Sequence, residues 1–403
     1  MGRERNLSKS ADVVVIGAGV IGCSIAYYLA KLGIRVTVLE RRERICSGAS
    51  GANGGGVPLS LTSPDSPTLG LRKPSIKIYQ TLSEEIDCDF EYEKTGVITC
   101  AIDDAQYSLL RKHREGMTRK GIEVQLIDGD EARRQEPALG PDIIAGLEDK
   151  ETGTLNPFKL TFGFARAAKR LGAEFLFCAE PKAIEMKNNK VESVVTDEDR
   201  IKADFVVNAA GAWAPVIGKM VGLTIPIQPN KGQTLVTEPV ALNKRWRYVM
   251  DADYLARGAS APPDAQDIDV RLGITGGWIQ EKTGNWTLGT SHEINFDAAA
   301  TIDTVSRMAK RAIRFLPGLK NVKCIRMFAG FRPHCYADDL PIISKVDNLS
   351  GFIIAAGHLG GGITFAPLTG ILVSELITGK ETSMPIEALA FSRFDHITEG
   401  AKQ

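Results

Sequence analysis

The first run of unbroken hydrophobic positions is Val13 to Ile16, β-branched and closed by glycine, and it predicts a buried strand. From Val20 to Leu32 the period changes: Ile21, Ile25, Tyr28, Leu29 and Leu32 fall on one helical stripe, and Gly33 stands where a C-terminal cap belongs. A second strand is expected from Ile34 to Glu40, completing a βαβ unit. "KTGVITCAI" then reads as strand and "DAQYSLLRKHREGMTRKG" as a helix charged on most faces, while "AGLEDKETGTLNP" turns back through glycine and proline. A further helix is expected to start after Asn156, with Pro157 at its first position, and to end at Gly172. "VESVVTDEDRIKADFVVNAAGAWA" predicts a hairpin and then a buried strand, Phe205 to Asn208, that stops in small residues. From Pro226 to Phe328 the pattern is strand-rich and helix-poor, including "KGQTLVTE" and "DVRLGITGGWI". A βα unit returns in "GFIIAAGHLGGGITFAPLTGILVSELITG", its helix running to about Ile377.

This order predicts an α/β plus α+β fold. A Rossmann-type domain is discontinuous, built from residues 1–90, 150–225 and 329–403. A mostly antiparallel β domain is inserted, from residues 91–149 and 226–328.

Composition narrows the function classes. The 403 residues are 43% hydrophobic and 24% charged, as in a water-exposed globular protein, and Lys plus Arg equals Asp plus Glu at 49 each. Nothing global attracts nucleic acid or an anionic membrane, so no nucleic-acid partner is expected. No run of 18 or more apolar residues occurs, and the basic "MGRERNLSKS" start has no apolar stretch and reads as a short solvated tail. Seven cysteines without a C-x-x-C pair, and five histidines without ligand spacing, predict no metal site and no disulfide framework. Reduced thiols fit a cytoplasmic location.

The glycines carry the first chemistry. Gly17, Gly19 and Gly22 have G-x-G-x-x-G spacing between the first strand and helix. Gly17 permits the tight turn, Gly19 lets the backbone approach a pyrophosphate, and Gly22 allows close helix–strand packing. The intervening Ala18, with Val20 and Ile21 at the helix N-terminus, would present N–H groups to the anion. Glu40, at the end of the second strand, is placed to accept from a ribose hydroxyl, and it would repel the extra phosphate of NADP despite Arg41 and Arg42. "SGASGANGGG", with Ser47, Ala49, Ser50, Asn53, Gly54, Gly55 and Gly56, adds a second cluster of backbone N–H groups, which suits FAD better than NAD. Ala210, Gly211 and Trp213 follow a strand end that leaves room for something large and flat.

Six ordered stretches resemble one family along nearly the whole chain: "DVVVIGAGVIGCSIAYYLAKLGIRVTVLER", "SGASGANGGG", "TGTLNPFKL…AAKRLGA", "DFVVNAAGAWA", "KGQTLV" and "AGFRP…DDLPIIS…GFIIAAGHLGGGITFAPLTG". They resemble the FAD-dependent D-amino-acid oxidase and glycine oxidase family, which includes sarcosine oxidases and the flavin subunits of proline, hydroxyproline and opine dehydrogenases. The resemblance implies that the first domain binds FAD and the second binds substrate beneath an antiparallel sheet. It also implies oxidation of a C–N bond beside a carboxylate, giving an imine that water hydrolyses.

The resemblance makes Arg332, in "AGFRP", the residue that holds the substrate carboxylate, where two parallel N–H bonds would orient the adjacent C–H. The plainer reading is an arginine paired with Asp338 and Asp339. His358, Leu359, Gly360, Gly361, Gly362, Ile363 and Thr364 open a helix whose amides can stabilise negative charge on the flavin. His358 is also a candidate base. Simple glycine oxidases carry an arginine where Gly360 stands, and its absence favours a larger secondary amine: an imino acid, an N-alkyl amino acid or an opine. Tyr248, Tyr254, Trp278 and Trp286 are expected to be packing residues. Lys231 is expected near the flavin, either assisting oxygen or pairing with an acid. The electron acceptor stays open among oxygen, a quinone and a partner subunit, with a homo-oligomer also open. Alternatives are a peroxide-releasing oxidase and a noncatalytic FAD-binding or tRNA-modifying protein.

Overall fold

A computed structural model describes residues 9–240, 248–257 and 265–395. The leading strand β1 (Val13–Ile16) runs into helix α1 (Val20–Lys31) and returns as β2 (Val36–Glu40). Later come α2 (Leu69–Glu85), α3 (Pro157–Arg170), β3 (Phe205–Asn208), β4 (Ile227–Thr237), β5 (Cys324–Cys335), β6 (Leu349–Ala356) and α4 (Gly362–Thr378).

The first sheet is centred on β6, β3, β1 and β2, which pair in that order and in parallel. Alternation along β1 divides the core into two layers. Val13 and Val15 pack towards α1, α2, α3 and α4, whereas Val14 and Ile16 pack with Ile342, Phe352 and Phe391 on the opposite face. Burial on both faces explains why β1, β2 and β3 are near-continuous apolar runs. Helix α1 is buried nearly all round, so its expected single stripe is too narrow; Leu32, the cap residue, is largely exposed. Asn156 caps α3 by accepting from the Lys159 N–H at 3.1 Å, as the Asn-Pro start predicts. Helix α4 with its preceding turn is long and apolar enough to cross a membrane by length and composition, but it packs on α1 and α2 inside the core.

The second sheet runs β5, β4, then 286–289, 277–280, 248–251, 97–101, 145–149 and 125–128. Neighbours are antiparallel except Tyr248–Asp251 beside Val97–Ala101. Segments 91–149 and 226–328 thus meet in one sheet.

Several expectations need correction. The boundary at 328/329 cuts through β5, which pairs with β4 from Ile227↔Cys335 to Thr237↔Cys324 and belongs wholly to the second sheet. The stretch read as helix-poor contains a helix at Ile302–Phe315, whose Val305, Met308, Ala312 and Phe315 are buried. Within "DVRLGITGGWI" only Gly277–Trp278–Ile279 belong to a strand, Gly277–Gln280, while Ile268–Arg271 is helical and capped by Asp267. "AGLED" is the strand Ala145–Asp149, with Glu148 and Asp149 buried, rather than a turn. Lys9–Ser10 pair in parallel with 201–202 instead of extending the solvated tail; residues 1–8 lie outside the described residues.

Candidate active site

The carboxyl ends of β1, β2, β3 and β6 surround a cavity lined by Ile16, Leu39, Glu40, Ala209 and Ala356. Gly17 sits at φ +108, and a Cβ there would lie 2.6 Å from the Ala209 carbonyl oxygen. Only glycine fits that turn. Gly19 ends the turn and lines the cavity with Val20 and Ile21, and α1 starts there without a side-chain cap. Its amides therefore face the cavity, apart from the Val20 N–H, which donates to Ser50 Oγ at 2.9 Å. Glu40 also lines the cavity, and its carboxylate accepts from the Ala18 N–H and the Arg42 N–H, each at 2.9 Å. It braces the glycine turn from behind while its remaining lone pairs stay available.

Gly22 does not line the cavity. A Cβ on it would lie 1.9 Å from the Gly17 carbonyl oxygen, so its work is close packing of helix on turn. Ala18 is also set back, fully buried behind the turn. Ala49, Ser50 and Asn53 line the cavity from the glycine-rich segment, and Ala210, Gly211 and Trp213 line it from the end of β3. The Arg41 guanidinium lies 3.9 Å over the Trp213 ring, which closes that end. Ser47 is turned away and donates to the Arg44 carbonyl oxygen at 2.5 Å. Gly55 is structural as well: at φ +81, a Cβ would meet the Leu155 carbonyl oxygen at 2.0 Å.

The loop before α4 closes the cavity with His358, Leu359, Gly362 and Ile363. Gly361 and Thr364 are set back, the latter accepting through its carbonyl from Ser75 Oγ at 2.6 Å. His358 is buried, its Nε2 lies 3.1 Å from Thr369 Oγ1, and burial pushes its pKa down to about 4. A neutral imidazole held by its own helix positions the loop; it does not collect protons near neutral pH.

A second cavity adjoins the first, and Ala49, Asn53 and Leu359 line both. Its walls include Gly54, Gly56, Thr290, Arg332, Gly360, Tyr248 and Tyr254. The two tyrosines thus depart from the expectation of packing alone, which holds for the buried Trp278 and Trp286. The register Asn230↔Arg332 and Gly232↔Gly330 sets the Arg332 side chain across the sheet face, where a Cβ on Gly232 would collide with its guanidinium.

Arg332 Nη1 donates to the Ser291 carbonyl oxygen at 3.1 Å and to Asn230 Oδ1 at 3.3 Å, and Nη2 donates to Thr290 Oγ1. All three partners are neutral. Asp338 pairs with Arg393 at 2.7 Å and Asp339 with His334 at 2.6 Å, so neither neutralises Arg332. Burial pulls the guanidinium pKa down, yet no carboxylate among the described residues pairs with it. Lys231, next along β4, points to the other face, where it pairs with Glu293 at 3.8 Å and Asp297 at 3.6 Å and lines neither cavity.

Two buried residues beside this cavity escape a reading of the sequence. Both ring nitrogens of His292 lack a hydrogen-bond partner, and burial together with the Arg332 charge pushes its pKa far down. Arg72, on α2, is buried with its Nε unpartnered.

The glycine turn, the uncapped helix start, the acidic strand end and the long cavity together fit FAD. A family model described as FAD dependent oxidoreductase (DAO) matches residues 12–376. The chain belongs to this family. It is an FAD-dependent oxidoreductase. Glycine oxidase of Geobacillus kaustophilus is 29% identical to this flavoenzyme over 392 residues, covering 95% of this chain and 97% of that protein. Hydrogen cyanide synthase subunit HcnC of Pseudomonas aeruginosa is 25% identical over 426 residues, with 96% of each covered. Among solved structures, L-proline dehydrogenase from P. horikoshii superposes with a TM-score of 0.85 at 30% identity, covering 97% of this chain and 99% of that one. The family and these relatives place the flavoenzyme among FAD-dependent amino-acid oxidases and dehydrogenases.

Proposed function

We propose that the flavoenzyme oxidises the C–N bond of an amino or imino acid, favouring a secondary amine over glycine, to an imine that water then hydrolyses. The observation that carries this reading is Arg332: a buried guanidinium with only neutral partners, in the wall of a cavity that adjoins the cofactor cavity. A buried charge left unpaired is costly, so this site favours an incoming carboxylate. The named activities of the proline dehydrogenase and glycine oxidase relatives point the same way.

Bound FAD would accept the hydride. Gly17, Gly19 and the α1 amides would hold its pyrophosphate, Glu40 its ribose, and Arg41 with Trp213 would close the adenosine end. Arg332 would clamp the substrate carboxylate and so fix the neighbouring C–H. The amides of Gly360 to Ile363, at the positive end of α4, would stabilise the charge that arrives with the hydride. A buried cavity disfavours an ammonium, so the substrate amine can lose its proton without a dedicated base; the neutral, Thr369-bound His358 is not assigned that role.

The electrons pass, in this proposal, to an acceptor other than oxygen, a quinone or a partner subunit. Two observations support it: Lys231 is engaged by Glu293 and Asp297 instead of standing at either cavity, and the relative HcnC is by name a subunit. Cytoplasmic location is proposed from the seven free cysteines. The test is anaerobic bleaching of the flavin by a panel of amino acids, N-alkyl amino acids, prolines and opines. Secondary amines should bleach it fastest; no bleaching by any member would overturn the reading.

A further inference from the structure

Tyr254, in the wall of the second cavity, belongs to a helix of only five residues, Asp253–Arg257. So short a helix has too few internal bonds to hold its own place, and its position is set by what it packs on. The Tyr254 ring packs with Leu61, Val97 and Met250. The other tether is polar. Asp253, the first residue of the helix, accepts from Arg311 Nη2 at 2.7 Å and from Gln106 Nε2 at 2.9 Å. Its N–H donates to Asp251 Oδ1 at 3.0 Å, and Arg311 Nε donates to Asp251 Oδ2.

Arg311 thus bridges two carboxylates, one at the end of the strand Tyr248–Asp251 and one at the start of the Tyr254 helix. It reaches them from the helix Ile302–Phe315, while Gln106 reaches them from the helix Asp104–Arg119. Asp251 is fully buried, and neither Arg311 nor Asp253 lines the cavity. An apolar contact would hold the short helix as stably; a planar guanidinium whose Nε and Nη2 take separate carboxylates also fixes its angle. That angle matters at the cavity. A Cβ on Gly360 would lie 3.7 Å from the Tyr254 hydroxyl and 4.0 Å from Arg332 Cδ, so the tyrosine and the arginine share the space in front of that glycine.

We propose that Arg311 and Asp253 are positioning residues for the substrate: their ion pair fixes the helix Asp253–Arg257, and through it the place of Tyr254 beside Arg332 and Gly360. This rests on the amino-acid reading above, which by itself requires only the Arg332 contact.

The test is a double-mutant cycle on the FAD-loaded enzyme. The probe is methoxyacetate, a carboxylate that cannot be oxidised as an amine, and its dissociation constant is read from the change it causes in the flavin absorption spectrum. Asp253→Ala frees the helix and leaves Asp251 paired with Arg311. It should weaken binding by at least about fivefold where Tyr254 is present and by less than about twofold in the Tyr254→Ala background, because a misplaced side chain costs nothing once it is gone. A merely structural role would weaken both backgrounds equally, and that result would overturn the proposal. Unchanged binding in Asp253→Ala would overturn it too and leave the amino-acid reading standing. If Asp253→Ala does not load FAD, the isosteric Asp253→Asn, measured in the same two backgrounds, decides by the same comparison. Failure of methoxyacetate to perturb the wild-type flavin would overturn this proposal and the carboxylate site together.

Discussion

The Tyr79 hydroxyl donates to the Ile363 carbonyl oxygen at 2.5 Å, and that carbonyl is the one Pro367, four residues later in α4, cannot serve. A side chain from α2 thus replaces a missing helical bond at the point where α4 meets the first cavity. Ser75 adds a second bond from α2 to the next carbonyl, that of Thr364. Two side-chain hydrogen bonds thus tie the first turn of α4 to α2.

Tyr79→Phe should therefore leave a buried carbonyl unsatisfied and destabilise the fold by about 1–3 kcal/mol. Chemical denaturation of the FAD-loaded protein measures it. A variant as stable as the wild type would show that the Ile363 carbonyl finds another donor.

Gly19→Val should give folded protein that purifies without flavin. A Cβ at Gly19 meets only Ser50 Oγ, at 3.2 Å, so the chain tolerates it, but the added methyl groups enter the space beside the α1 amides. Gly22→Val differs, since its Cβ would strike the Gly17 carbonyl oxygen at 1.9 Å and should disrupt folding itself. Visible absorption of the purified variants, with circular dichroism, separates the two outcomes.

His358 sets a direction for stability against pH. Its folded pKa, about 4, lies below the ordinary histidine value of about 6.5. Above the unfolded value both states are neutral and the residue contributes nothing to the pH dependence. As pH falls from about 6.5 towards 4, the unfolded chain takes up a proton that the folded chain refuses, and up to about 3 kcal/mol of stability is lost. His292, also depressed by burial and by Arg332, acts in the same direction. Denaturation midpoints across this range should fall with pH, and His358→Gln should flatten the fall. Equal slopes in variant and wild type would contradict the assignment.

Much of this architecture is legible in the sequence where a local rule leaves little choice. The βαβ unit is one case, because a turn at φ +108 and a 1.9 Å approach admit only glycine at Gly17 and Gly22. Helix α3 is another, marked by Asn156 and Pro157. What escapes are elements whose buried positions are polar. The strand 145–149 buries Glu148 and Asp149, and α2 carries Gly70, Pro74 and a buried Arg72 where the apolar spacing of Leu69, Ile76 and Tyr79 leaves room for a hydrophobic residue. That spacing was the available signal for α2. Side-chain direction in the second sheet is fixed only by strand pairing, so the separation of Lys231 from Arg332 could not be read from their nearness in pattern.

If the acceptor is not oxygen, substrate-reduced enzyme mixed with air-saturated buffer should reoxidise slowly while an artificial dye sustains rapid turnover. Fast reoxidation with one peroxide per flavin would make the enzyme an oxidase despite the ion pairs that occupy Lys231.

The most direct test of the account compares wild type with Arg332→Leu during anaerobic reduction by a secondary amino acid. The variant should bind FAD as the wild type does, with its visible spectrum intact. Its kcat/KM for flavin reduction should fall by on the order of a hundredfold, about 3 kcal/mol, as the charge-assisted clamp is lost. Reduction of Arg332→Leu at the wild-type rate would contradict the account, because the one buried cation assigned to the reacting carboxylate would then have no part in holding it.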